Sequence, residues 1–268
     1  MINTSVFALM ILIGLFGPIL LAVIWKATTK QPFKTILVGA LIFFAFAIIL
    51  ESVPKLFLFV DTNAVGRAVL SNYALYVGTA ALLAGLFEET GRLVAFKFLL
   101  KDRNDKRTAI SYGIGHGGFE AMYLLVIGGI QNLSYAAAIN NGTFSTLIEQ
   151  VRATAPDQVA AFAALPAQLM AVGFGDVAIS TCERVSAVCI HIACSIIMYK
   201  AVKEPRKLWL WPVAILLHAS IDVFAGLYQV GIITNLFVLE GLLLAWAVAM
   251  LIFCIKVPYK RMSSVEQQ

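Results

Sequence analysis

Long apolar stretches dominate the chain and predict its secondary structure. Each reaches about 20 residues, the length that an α-helix needs to cross the hydrocarbon core of a bilayer. Glu51, Pro54 and Lys55 make the second stretch the least regular. The pattern predicts an all-α, polytopic transmembrane helix bundle of about seven spans, with eight as the upper count. We place the spans at residues 5–25, 35–54, 71–97, 109–133, 175–199, 208–229 and 232–255.

Composition supports a membrane location. Hydrophobic residues make up 60% of the 268 residues and charged residues only 13%, and the mean hydropathy is +0.88. Soluble globular domains carry about 25% charged residues. We therefore expect a multi-pass protein of a cell membrane, with membrane lipids as partners. The first span lacks a basic flank and a small-residue cleavage site, so we interpret it as a retained helix and not as a signal peptide.

The basic residues are distributed unequally between the two sides of this arrangement. With the N-terminus outside, the inside segments hold 15 lysines and arginines and the outside segments hold 3. Loops rich in Lys and Arg stay in the cytoplasm, so the distribution predicts an outside N-terminus and an inside C-terminus. The net charge of +5 is explained by this topology and by attraction to anionic lipid headgroups. No basic stripe interleaved with aromatic residues indicates a nucleic-acid partner.

One long connection, residues 134–174, lies between the fourth and fifth spans on the predicted outer side. Apolar residues recur at helical spacing around 147–151 and 159–165, which predicts two short amphipathic helices separated at Pro156. No repeat or linker indicates a second domain, so residues 1–268 are expected to form a single integral-membrane domain. All four cysteines fall inside spans, where we expect apolar packing residues and no disulfide framework.

Ionisable residues occur inside four of the spans, where they are costly unless they face the bundle interior or a wet cavity. Several are four or seven positions apart, so they share one helix face. A rise of about 1.5 Å per residue from the basic loops brings all four sets close to mid-membrane. We expect a polar chamber among spans 3 to 6, opening toward the cytoplasmic half. Its members are Glu88, Glu89, Arg92, His116, Glu120, Arg184, His191, His218 and Asp222. Glycines around His116 would allow close helix approach or a local break.

Four motifs in these spans, EETGR, GHGGFE, ERVSAVCIH and HASID, resemble the intramembrane motifs of the YhfC family of membrane peptidases. That family is related to the PrsW proteases and, more distantly, to the CAAX-protease and bacteriocin-processing superfamily. The resemblance covers about residues 85 to 225 and implies a catalytic core at about 71–229. It implies peptide-bond hydrolysis within a prokaryotic plasma membrane, on a membrane-anchored protein or peptide. The chain departs from the superfamily pattern at His116, which stands where Phe is usual.

The chemistry of amide hydrolysis supports the same residues. The reaction needs a base that deprotonates water, donors to the oxyanion and an acid for the leaving amine. We expect Glu88 to be the base. Either Glu89 or Glu120 would share its proton, and either His191 or His116 would help to hold the water.

The other candidates would assist the reaction or stabilise the bundle. His218, oriented by Asp222 one turn later, would donate to the developing oxyanion. Arg92 and Arg184 would neutralise excess carboxylate and lock the helices together. An isolated Glu240 in the seventh span has no partner by spacing, and we expect no function for it.

Three alternatives use the same polar layer. We favour a glutamic mechanism with no cofactor, but the residues could also form an open catalytic zinc site. The zinc ligands would then be His116, Glu120, His191 and His218. A proton- or ion-coupled transporter would relay protons through the same layer, although the two halves show no inverted repeat. A receptor or scaffold would bind a ligand in this layer. That function does not explain why two adjacent carboxylates, Glu88 and Glu89, lie inside a span.

Overall fold

The computed structural model describes residues 1–262, and within that range the chain forms helices and no strands. Six helices are long and apolar enough to cross a membrane, or seven if one bent pair is a single span. This confirms the all-α, multi-pass fold of about seven spans. The long helices are α1 Thr4–Thr29, α5 Tyr73–Val94, α6 Arg107–Asn140, α10 Phe174–Lys203, α11 Leu210–Gln229 and α12 Leu236–Cys254.

The second span is longer than the apolar pattern predicts. It begins as α2, Phe33–Phe43, passes through a π-helical turn, Phe44–Leu50, and ends as α3, Ser52–Leu58. Glu51 does not end it, because its carboxylate pairs with Lys55 Nζ at 2.6 Å one turn later. Further π-helical segments extend α5 and α12, at Ala95–Leu99 and Ile255–Tyr259.

The bent pair consists of α4, Ala64–Leu70, and α5, whose axes differ by 105°. Each helix begins at an asparagine that accepts hydrogen bonds from the first turn. Asn63 accepts from the Gly66 amide at 2.8 Å, and Asn72 accepts from the amides of the second and third residues after it. Such caps satisfy amide groups that have no partner within the helix, so the chain can turn sharply between α4 and α5.

The long connection between the fourth and fifth spans is more helical than expected. Helix α6 continues to Asn140, so the connection is shorter than residues 134–174. It contains α7, Phe144–Thr154, a 3₁₀ turn at Pro156–Gln158, α8, Val159–Ala163, and α9, Leu165–Ala171. Pro156 therefore begins a separate turn, as the sequence predicts.

The chain divides into two compact units. The first comprises residues 1–17 and 121–182, and the second comprises, of the described residues, 18–120 and 183–262. In the first unit a small apolar core forms around the buried Phe7 and Leu169, and the Ile2 amide donates to Asn140 Oδ1 at 2.7 Å. The second unit has the larger core, which includes the buried Phe96 and Met198.

Glycines bring α6 of the second unit into close contact with its neighbours. A Cβ at Gly39 of α2 would lie 2.8 Å from the backbone nitrogen of His116, and a Cβ at Gly113 would lie 2.6 Å from Ile192 Cα. Helix α6 is continuous through this region. The glycines therefore serve close helix approach and not a local break. None of the four cysteines forms a disulfide.

Candidate active site

Glu88 of α5 lies at the centre of the polar cluster, inside the second unit, and is 7% exposed. Three histidines from three other helices surround its carboxylate. His116 Nε2 of α6 is 2.8 Å from Oε2, and His191 Nδ1 of α10 is 3.8 Å from the same oxygen. His218 Nε2 of α11 is 3.8 Å from Oε1. One carboxylate therefore faces a ring nitrogen from each of three helices.

Each of these histidines uses its other ring nitrogen to bind an outer partner. The hydroxyl of Tyr112 lies 3.3 Å from His116 Nδ1. Glu89 Oε1 lies 2.9 Å from His218 Nδ1, and Glu120 Oε2 bonds Nε2 of the third histidine. Partners of this kind fix the tautomer and the orientation of an imidazole ring, so all three rings are held with one nitrogen toward Glu88.

Arg92 connects α5 to α10 and is fully buried. Its guanidinium pairs with Glu89 and donates from Nη2 to His191 Nδ1 at 3.0 Å. Because an arginine nitrogen can only donate, Nδ1 of that histidine is an acceptor and its Nε2–H donates to the outer carboxylate. The spacing of Glu88 and Arg92 predicts a shared face, but the arginine pairs with the neighbouring Glu89 instead.

Glu120 joins the histidine cluster to a second arginine. Arg184 Nη1 of α10 donates to Glu120 Oε1 at 2.7 Å, while Nη2 donates to Glu183. The side chains of Arg184 and Glu120 are only 14% and 15% exposed. A continuous chain of polar contacts therefore leads from Arg184 through Glu120 to His191.

Asp222 is the least constrained member of the cluster. Its Oδ2 lies 3.6 Å from His218 Nε2 and its side chain is 37% exposed, and that oxygen has no hydrogen-bond partner among the described residues. The sequence predicts that Asp222 orients His218. The structure assigns this role to Glu89, which is closer and bonds the opposite ring nitrogen.

A cavity of about 120 Å³ adjoins the cluster within the second unit. About 10–15 Å³ is enough to hold one water molecule, so there is room for water and for part of a peptide. Its lining includes residues in the first half of α10 and the second half of α11, the halves that lie farther from the basic loops. The opening of the cavity toward the cytoplasmic half stays a prediction. Helix α12 contributes to its wall, which the sequence does not predict. Its lining includes Glu88, Glu120, Arg184, His218, Asp222 and Leu243.

Two groups of side chains have donor atoms close enough to share a metal ion. Ligand atoms of Glu88, His116 and His191 all lie within 4.8 Å of one another, and so do those of Glu89, Cys194 and His218. The predicted zinc ligands, which are His116, Glu120, His191 and His218, therefore do not all lie in one group of neighbouring donor atoms. Glu120 stands behind a histidine, and His218 falls in the second group.

The eight catalytic candidates predicted from the sequence all lie in this one network. Tyr112, Glu183 and Cys194 also belong to it and were not singled out as site residues. Tyr112 precedes His116 by four positions, so the helical spacing used for the other pairs could have found it. The sequence gives no such signal for Cys194, because a single cysteine among apolar residues normally acts as a packing residue.

Comparisons with known proteins identify the family of the chain. The family described as YhfC intramembrane metalloprotease matches residues 9–243. The "Uncharacterized membrane protein YhfC" of Bacillus subtilis (strain 168) is 34% identical over 218 residues, which cover 81% of this chain and 82% of that protein. No solved structure matches the chain significantly.

These matches refine three expectations from the sequence. Both describe membrane proteins, which together with the apolar helices establishes a multi-pass membrane location. A family of proteases does not favour the transporter alternative. A family of metalloproteases does not support the preference for a glutamic mechanism over a metal-dependent one.

Proposed function

Because the chain belongs to the YhfC intramembrane metalloprotease family, we propose that it hydrolyses peptide bonds of a membrane-anchored protein or peptide at the Glu88 cluster, with a bound divalent metal. The substrate would be a chain within or against the plasma membrane of a prokaryote. The arrangement of the three histidines carries this proposal. Each directs one nitrogen to the Glu88 carboxylate while a protein group holds the other nitrogen.

The donor set fits a zinc-type metal. Glu88, His116 and His191 provide two imidazoles and one carboxylate, a ligand set found in catalytic zinc sites that keep one position open for water. Glu120 behind His191 and Tyr112 behind His116 correspond to the outer partners that orient metal-binding histidines. A metal held there would polarise the scissile carbonyl and make a bound water more acidic.

Arg92 must adapt when a metal binds. Its Nη2 donates to His191 Nδ1, the nitrogen that faces Glu88 and would become a ligand. The guanidinium also pairs with Glu89. It can therefore lose its hydrogen bond to His191 while Glu89 still neutralises its charge. Arg92 would then balance the negative charge of Glu89 beside the site and take no direct part in the reaction.

Residues that line the cavity would transfer the proton of the attacking water. Asp222 lines the cavity and has an oxygen without a hydrogen-bond partner among the described residues, so it would accept a proton from the attacking water. As the water oxygen bonds to the carbonyl carbon and the C–N bond breaks, the same proton would pass to the leaving amine nitrogen. His218 donates its Nδ1–H to Glu89 Oε1, so as the doubly protonated imidazolium it would donate from Nε2 to the oxyanion.

The test uses the full-length protein in liposomes with a single-span reporter peptide that carries a fluorophore and a quencher. Total membrane protein from the expression host, with new N-termini identified by mass spectrometry, provides a second substrate pool. We expect cleavage by the wild type, loss of cleavage after chelation, and recovery when Zn²⁺ is returned. Glu88→Gln should lower the rate by on the order of 10²-fold or more.

Measuring the metal content of each variant distinguishes loss of the metal site from a general loss of structure. We expect about one bound metal per wild-type chain and a loss of it in His116→Ala and His191→Ala. Glu149→Gln is the matched control, because Glu149 is an exposed carboxylate that pairs with Arg152 on α7, outside the polar cluster. Cleavage that survives complete metal removal, or unchanged metal content in both histidine variants, would refute the proposal.

A further inference from the structure

A second cavity lies away from the polar cluster, in the same compact unit. Its volume is about 260 Å³, and it is formed by the end of α10, the loop that follows and the end of the α5 extension. The lining combines charged residues, Lys97, Glu204 and Arg206, with apolar ones that include Val202 and Leu208. The cavity therefore combines basic and apolar side chains in one lining.

The charges around this second cavity are not balanced. Glu204 is already paired with Lys200 Nζ at 2.6 Å. Lys203 is also committed, because its ammonium donates to the backbone oxygen of Lys101 at 2.5 Å. Lys97 and Arg206 are exposed, and neither forms an ion pair among the described residues. Two cations thus remain available to a ligand.

Arg206, one of these two cations, has an unusual backbone conformation. Arg206 adopts φ +58°, a left-handed conformation that is uncommon for a residue other than glycine. It follows the end of α10 and turns the chain back toward α11. Such conformations occur where the surrounding structure holds them, and they cluster at sites that contact ligands.

Exposed apolar and aromatic side chains beside the cavity are typical of the headgroup level of a bilayer. Trp209 is 58% exposed, Leu208 is 49% exposed, and Phe98 beside Lys97 is 59% exposed. Tryptophan concentrates at the level of the lipid headgroups. The basic loops on either side are those that the charge distribution places in the cytoplasm, so the cavity would face the inner leaflet.

From these observations we propose that the cavity binds the phosphate of an anionic phospholipid of the inner leaflet. Arg206 would form paired hydrogen bonds to two phosphate oxygens, a geometry that the planar guanidinium favours. Lys97 would add a second charge, and the acyl chains would lie along Leu208 and Phe98. Basic pockets at the cytoplasmic ends of transmembrane helices bind anionic lipids in this way.

The experiment measures lipid binding and needs no protease substrate. Full-length protein is placed in nanodiscs of phosphatidylcholine with increasing phosphatidylglycerol, and bound phosphatidylglycerol is quantified by native mass spectrometry. We expect Lys97→Gln with Arg206→Gln to weaken binding by about 10- to 30-fold. The matched control, Lys34→Gln with Lys260→Gln, removes two exposed cations outside the cavity lining and should change binding by less than about 3-fold.

Three further outcomes decide the proposal. Arg206→Lys keeps the charge but not the planar fork, so partial loss of binding with a normal fold supports the assigned geometry. Equal loss in the control pair would show a diffuse charge effect and overturn the site. If inorganic phosphate at millimolar concentration displaces the bound phosphatidylglycerol completely, the site takes free phosphate. The lipid assignment is then wrong.

Discussion

Gly115 gives the sharpest test of how the fold positions the site. A methyl group added there would lie 2.6 Å from the Ile36 carbonyl carbon and 2.8 Å from Ile36 Cα, and would overlap the carbonyl oxygen. All three atoms are backbone, so no side chain can move aside and α2 must shift away from α6. Overpacking costs about 1–3 kcal/mol, against a gain of about 1 kcal/mol in helix propensity.

Gly128 in the same helix is the matched control, because an added Cβ meets no atom within 4 Å. Gly128→Ala should be neutral or stabilise by up to about 1 kcal/mol. The two variants should therefore differ by about 1–3 kcal/mol, or roughly 2–12 °C at about 2–4 °C per kcal/mol. Gly115→Ala should also lose metal, because the adjacent His116 would move.

Buried thiols report the unfolding of both variants. Cys194 and Cys254 are fully buried, so a thiol-reactive dye added during a temperature ramp in detergent gains fluorescence as the bundle opens. If Gly115→Ala melts as high as Gly128→Ala and retains its metal, α2 and α6 do not depend on this contact, and the packing argument fails.

Three other variants test individual buried charges. Glu240→Leu should raise the melting midpoint, because Glu240 is only 8% exposed and its Oε2 has no hydrogen-bond partner among the described residues. Arg184→Gln should weaken metal binding or turnover by about 10- to 100-fold, while the exposed Arg152→Gln should not, as metal analysis and the reporter peptide would show. Glu89→Gln should destabilise the fold by about 3–5 kcal/mol, because it leaves the buried Arg92 charge without its partner; an unchanged melting curve would contradict this.

The span pattern could be predicted from the sequence because hydrophobic length alone determines it. The bend before α5 could not, although its cause is visible in Asn63 and Asn72. An asparagine is compatible with a cap, a turn or a loop, and only the folded chain shows that each one accepts amide hydrogen bonds. The α6 extension to Asn140 was missed because Gln131, Asn132 and Ser134 interrupt the apolar run before the last two turns of the helix.

The membership of the site could be predicted, but its contacts could not. Helical spacing gives the direction in which a side chain points, which is why His116, His191 and His218 were all expected in one layer. It gives no information on which residue of another helix lies opposite. The pairing of Glu89 with His218 spans residues far apart in sequence, so it depends on how α5 and α11 pack.

The buried charges explain why α5, α6, α10 and α11 stay together around water-accessible space. A charge in hydrocarbon is tolerated only with a partner, and several contacts here join different helices: Arg184 of α10 pairs with Glu120 of α6, and Arg92 of α5 donates to His191 of α10. Separating α6 from α10 would therefore break a buried ion pair, and separating α5 from α10 would remove a buried hydrogen bond. The same contacts that hold the helices together also hold each histidine ring toward Glu88. Stability and catalysis thus share one network, so a loss of cleavage identifies a catalytic residue only when the melting curve is unchanged.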